Sequence, residues 1–238
     1  MNPIAGQALS LSLYFIALAI AAFAASGRGF RLVVALFILA FGVGSVNVLI
    51  EAVVFGVMSV NETLPAFAFH AVEFAILAVI AAAATRKLTG GARSDIALRL
   101  TPVRIGAVAV AYVVVYFAAG MLVYPYVKDF YAGRPLPSGS TILVLQTFRG
   151  LIYLAAAIPL LWLNPRFPRL VLGVAFPLIA GLAPLVADNP LMPAWVRAAH
   201  AIEIASSNLL FGIVLAWLIM PRAQNAGESS RVQPEERA

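Results

Sequence analysis

The chain contains two histidines, and each is followed three residues later by a glutamate: His70-Ala-Val-Glu73 and His200-Ala-Ile-Glu203. Residues three apart share one face of a helix, so each pair can present an imidazole and a carboxylate to a single ligand. Imidazoles with carboxylates suit zinc, iron or manganese. Helical-bundle metal sites use a Glu-x-x-His pair at this spacing, in the opposite order, with further glutamates from other helices. Glu51 supplies such a further carboxylate, and the three glutamates Glu51, Glu73 and Glu203 against the one cation Arg149 leave an excess of negative charge that a divalent ion neutralises. On this reading His70, Glu73, His200, Glu203 and Glu51 hold one metal ion. Glu51 and Glu73 are the candidate bases acting on metal-bound water. Arg149, Gln146 and Asn208 orient an anionic or carbonyl group of a lipid-like substrate.

These groups matter because of where they sit. Of the 238 residues 63% are hydrophobic and only 11% are charged, well away from the composition of a soluble domain. The charges cluster between long apolar runs, as a bilayer requires of segments that satisfy their own backbone. Seven runs long enough to span are marked at roughly 4–26, 32–60, 65–84, 105–126, 141–163, 170–187 and 192–220. The fold class is therefore an all-α integral membrane protein, a multi-pass bundle of seven transmembrane helices. Residues 1–220 form the membrane domain, and the polar stretch 221–238 is expected to be a disordered cytoplasmic tail. Pro177 and Pro184 should distort the sixth helix.

Loop charge sets the orientation. With the N-terminus outside and the C-terminus inside, 12 of the 16 basic residues fall on the inner side, which is what the positive-inside rule demands. A bacterial-type plasma membrane is the expected setting. Tyr124, Tyr126, Tyr131 and Trp195 are placed at the outer interface, where amphipathic rings are favoured. Along each run, Glu51, Glu73, Arg149, His200 and Glu203 lie about 10–15 Å from the outer end, at 1.5 Å per residue. Asn47, Gln146 and Asn208 add neutral polarity. An ionisable group in that position is a functional candidate by default.

The two His-x-x-Glu segments run in the same direction, outside to inside, and so fit a parallel repeat of three helices on each side of a central fourth. Two other functions share the same residues. In a proton- or cation-coupled transporter or channel the carboxylates are ion sites at the repeat interface. In a non-catalytic receptor or assembly partner Arg149 pairs with one or two of the glutamates and the histidines lock helix packing by hydrogen bonds.

Several chemistries are excluded or disfavoured. With no cysteine there is no disulfide and no thiolate ligand. No lysine lies within a predicted helix, so a retinal Schiff base is ruled out, and a glutamate beside each histidine disfavours bis-histidine haem. The net charge of +6 is explained by loops meeting anionic lipid headgroups, not by nucleic acid. The expected partners are membrane lipids and a small-molecule or lipid-like ligand. In helix number the chain is similar to membrane hydrolases of the alkaline ceramidase and adiponectin-receptor type. It lacks their serine and multiple histidines at four-residue spacings, so the likeness is architectural only.

Overall fold

The computed structural model describes residues 2–91, 96–134, 136–187 and 192–221; the expected tail lies almost wholly outside the described residues. Seven helices are long and apolar enough to cross a membrane: α1 Pro3–Ala24, α2 Phe30–Val54, α3 Val60–Ala84, α4 Pro102–Tyr131, α5 Gly139–Trp162, α6 Pro168–Val186 and α7 Ala194–Ile219. No strand occurs among the described residues. The chain is an integral multi-pass membrane protein.

Local chemistry sets the helix ends. Asn2 accepts from the Ile4 amide and Pro3 opens α1. Ser138 caps α5 by accepting from the Thr141 amide. The start of α3 departs from the sequence expectation of 65. A capping box places it at Val60: the Ser59 hydroxyl accepts from the Glu62 amide at 3.3 Å while the Glu62 carboxylate accepts from the Ser59 amide at 2.8 Å. Two otherwise unsatisfied helix-end donors are met in this way. Pro65 therefore lies inside the helix. The second run correspondingly ends at Val54 and not at 60, and the chain turns at Gly56, whose φ of +67° suits a residue with no side chain.

α6 is interrupted where the prolines predicted disturbance, and the interruption is a single π turn, Pro177–Leu182. α2 carries a second π turn, Gly42–Val46, which no proline announces. The two turns face each other inside the bundle: a Cβ on Gly44 would come within 2.9 Å of Ile179 Cγ2.

Packing neighbours follow the order α1, α3, α2, α5, α4, α7, α6 and back to α1. Apolar burial drives no association between helices already in lipid, so close van der Waals fit must do so. The α6–α7 crossing shows how: a Cβ at Gly212 would lie 2.5 Å from the Leu172 carbonyl oxygen, so no larger residue fits there.

The connections 25–29, 85–91, 96–101 and 163–167 and the end of α7 gather at one end of the bundle. They are stitched by backbone hydrogen bonds: Ser26 to Leu163, Gly29 to Lys87, Arg99 to Ile219 and Arg166 to Ala24. Most of the Lys and Arg among the described residues lie here, at what is termed the basic end.

Candidate functional site

Arg149, one of the few charged residues within a helix, is 5% exposed and sits between α5 and α2. Its Nε donates to Asn47 Oδ1 at 3.1 Å, and its Nη1 donates to Gln146 Oε1 at 2.9 Å and to Glu51 Oε1 at 2.5 Å. The guanidinium only donates, so it fixes the orientation of both amides. The amide nitrogens of Asn47 and Gln146 are left facing away, fully buried, with no hydrogen-bond partner. The centre is thus rich in donors. Its one anionic acceptor, Glu51, keeps 28% of its side chain exposed.

The exposure of Glu51 follows from where α2 ends. Glu51 precedes Val54 by three residues, about 5 Å, whereas Arg149 lies about 15 Å into α5. With parallel axes α2 stops about 10 Å short of α5, and Glu51 lies at the bottom of that step. Measured from the observed ends, Glu51 is shallower and Glu73 deeper than the sequence placed them, so the single layer expected from the sequence is uneven.

A second polar chain joins α4 to α7. The Tyr131 hydroxyl lies 2.8 Å from His200 Nε2, and His200 Nδ1 lies 2.8 Å from Glu203 Oε2. With Glu203 ionised and the ring neutral, Nδ1 carries the hydrogen and donates to Glu203, and Nε2 accepts from Tyr131. Gly120 of α4 flanks this carboxylate: a Cβ there would lie 3.4 Å from Glu203 Oε1, at ordinary contact. Tyr116 lies within electrostatic reach of Glu51, Arg149 and Glu203, and Tyr131 within reach of both Glu203 and Glu51. The two polar groups therefore share one region.

Towards the basic end this region is closed by aromatic rings. Arg149 Cζ stands 5.7 Å from the centroid of Tyr112. Tyr112 packs on Tyr153 at 5.2 Å and on Phe211 at 4.8 Å, and Tyr153 packs on Phe176 at 4.8 Å. These four rings, from α4, α5, α6 and α7, form a floor. Asn208 is buried near Phe211 on α7, and its Oδ1 has no partner; no hydrogen bond links it to Arg149 among the described residues.

His70 and Glu73 lie elsewhere. His70 Nδ1 is 3.0 Å from the hydroxyl of Ser45, inside the π turn of α2, and its ring packs against Phe69 and Phe74. Glu73 is half-buried on the side of α1, within electrostatic reach of Tyr14. The five residues expected to ligate one metal thus occupy three places: Glu51 beside Arg149, His200 with Glu203, and His70 with Glu73 across α2. Among the described residues no three His, Asp or Glu side chains converge on a common point. Tyr131 and Ser45 belong to the polar structure but are not among the sequence candidates. Tyr131 carried an interfacial signal only, and a single serine in an apolar run carries none.

No family model, curated protein or solved structure matches this chain.

Proposed function

We propose that this membrane protein is a proton-coupled carrier for a small solute bearing a carboxylate or a comparable acceptor group, seated in a bacterial-type plasma membrane with its N-terminus outside and its basic end in the cytoplasm. The buried guanidinium of Arg149, held by a partly exposed carboxylate, carries this reading. An ionisable group within a bundle marks a substrate or ion pathway by default. The unpartnered amide N–H groups of Asn47 and Gln146 beside it are satisfied by ligand oxygens. The solute anion takes the place of Glu51 on the guanidinium, and the released Glu51 takes up a proton. One anion and one proton enter together, and the charge of the site is unchanged. Glu51 is faced in this step by Arg149, Tyr112, Tyr116 and Tyr131, the last two also within reach of Glu203, and the Tyr131–His200–Glu203 chain provides a proton path at its side.

The architecture supports the same reading. Exchanging α1 with α5, α2 with α6 and α3 with α7 preserves the packing order, apart from α4 wedged between α5 and α7. This agrees with a 3+1+3 repeat, and carriers of that kind move one repeat against the other around a fixed site. The aromatic floor closes the basic end while Glu51 stays reachable from the opposite end.

The test uses proteoliposomes loaded with a pH-sensitive dye and a panel of mono- and dicarboxylates. At least one solute should acidify the lumen. Arg149→Lys should lower that rate at least tenfold, because an ammonium does not reproduce the planar fork, and Glu51→Gln should uncouple solute from proton movement. No acidification with any solute, together with about one metal ion per purified chain, would replace this reading with a divalent-metal membrane enzyme acting on a lipid-like substrate. No acidification and no metal would leave a receptor or assembly partner.

A further inference from the structure

Away from the polar centre, the basic end carries two adjoining depressions between α1 and α6. The first is an apolar groove of about 480 Å³, lined among others by Ile16, Ile20, Phe23, Phe167 and Leu170. Phe23, Phe167 and Leu170 are all more than 60% exposed. The second, of about 320 Å³, is lined by Ser26, Arg28, Lys87 and Arg166. Phe23, Ala24 and Arg166 border both, so the two are continuous.

The basic pocket is built, not incidental. Lys87 directs its three donors at the carbonyls of Ala22, Phe23 and Ala25, at 2.9, 2.8 and 2.5 Å. It thereby caps the negative end of the α1 dipole and is fixed in the wall. Arg28 lies close by, its Cδ 3.4 Å from where a Cβ on Gly90 would stand, and burial first and the Arg28 charge second push the Lys87 ammonium below its ordinary range. Arg166 is anchored through its backbone amide to Ala24. The acids among the described residues are Glu51, Glu62, Glu73, Asp129 and Glu203, and none lies at this end. Among the described residues three cations are therefore gathered without an acidic counter-charge, at the mouth of the apolar groove.

The geometry points to a binding site for one anionic phospholipid of the leaflet at the basic end, with its phosphate on Arg28 and Arg166 and an acyl chain in the α1–α6 groove. Charge complementarity selects the headgroup, and the continuous apolar groove selects a lipid over a free anion. Lys87 holds the shape and field of the pocket, since its own donors are engaged. This site does not depend on the transport reading.

Native mass spectrometry of the detergent-purified protein, with phosphatidylglycerol and phosphatidylcholine of matched chains, tests the inference. At least tenfold preferential retention of phosphatidylglycerol is expected. It should fall to the phosphatidylcholine level in Arg28→Gln/Arg166→Gln and persist in the charge-matched control Arg86→Gln/Arg169→Gln. If the double variant is not monodisperse, the single changes serve, each with a smaller loss. Ala19→Phe, which fills the groove and leaves every cation in place, should also reduce retention several-fold. Equal retention of the two lipids, or retention indifferent to Arg28 and Arg166, would overturn the site. Loss with the arginine changes but not with Ala19→Phe, together with competition by millimolar glycerol 3-phosphate, would assign the pocket to a free phosphate and overturn the lipid.

Discussion

The two His-x-x-Glu segments have the same spacing and similar neighbours in sequence, yet they do different things. On α7, His200 and Glu203 hydrogen-bond to each other and His200 continues to Tyr131, forming a chain beside the Arg149 centre. On α3, His70 turns to Ser45 in the π turn of α2 while Glu73 faces α1. The difference comes from the neighbours. α7 packs against α4, which offers a phenol at Tyr131 and bare backbone at Gly120. α3 packs between α1 and α2 and finds the Ser45 hydroxyl on α2 and the Tyr14 ring on α1. A shared spacing fixes which side chains lie on one face and leaves open what that face meets.

The comparison can be tested from its largest expected effect downward. Arg149 belongs to the α5 side of the bundle and has no counterpart beside His70. Arg149→Ala should lower stability in detergent by about 3 kcal/mol, the low end for a broken buried pair because Glu51 is partly solvated. Adding Glu51→Gln should recover much of that loss in thermal unfolding. A loss below about 1 kcal/mol would place the pair with surface salt bridges and remove the contrast between the two sides.

His70→Ala should cost about 1–3 kcal/mol, because it leaves the buried Ser45 hydroxyl without its partner, and should leave solute-driven acidification near the wild-type rate. His200→Ala should show the reverse: a modest stability loss and at least a tenfold slower acidification. Equal effects on both readouts would erase the distinction. Tyr131→Phe removes one hydrogen bond and should cost about 1 kcal/mol, with the imidazole resonances of His200 moving in NMR while those of His70 stay. The smallest effect is expected from Glu73→Gln. This carboxylate is half-buried and makes no hydrogen bond among the described residues, so neutralising it should be neutral or mildly stabilising. A strong loss, accompanied by loss of bound metal, would return Glu73 to a ligand role beside Glu203.

Much of the fold was legible because a bilayer imposes a simple rule: seven apolar runs became seven helices, and Arg149 and Gln146 stood out as polar residues that such a run must justify. The ends were less legible. Ser59 and Glu62 form a capping box whose signal was overlooked beside Pro65, and this moved the end of α2 and the depth of Glu51. Tyr131 was read as an interfacial ring because aromatic residues at a helix end look alike whether they meet headgroups or a histidine. The separation of His70 from His200 was not legible at all, since it depends on the order in which the helices pack. Hydropathy, equal along every apolar face, does not encode that order.

The π turn of α2 decides the angular phase of the residues beyond it. A π turn carries one residue more than the α-helix it interrupts, and each residue rotates the helix by about 100°. Discounting that extra residue, Asn47 and Glu51 fall roughly two and three full turns after Leu39, in line with the stripe by which α2 packs. In an uninterrupted α-helix both would be swung about 100° round the axis, away from Arg149. Removing one residue between Gly42 and Val46 would therefore let α2 run as a regular α-helix with Asn47 and Glu51 still in phase with Arg149, whereas straightening the turn at unchanged length would dismantle the ionic centre.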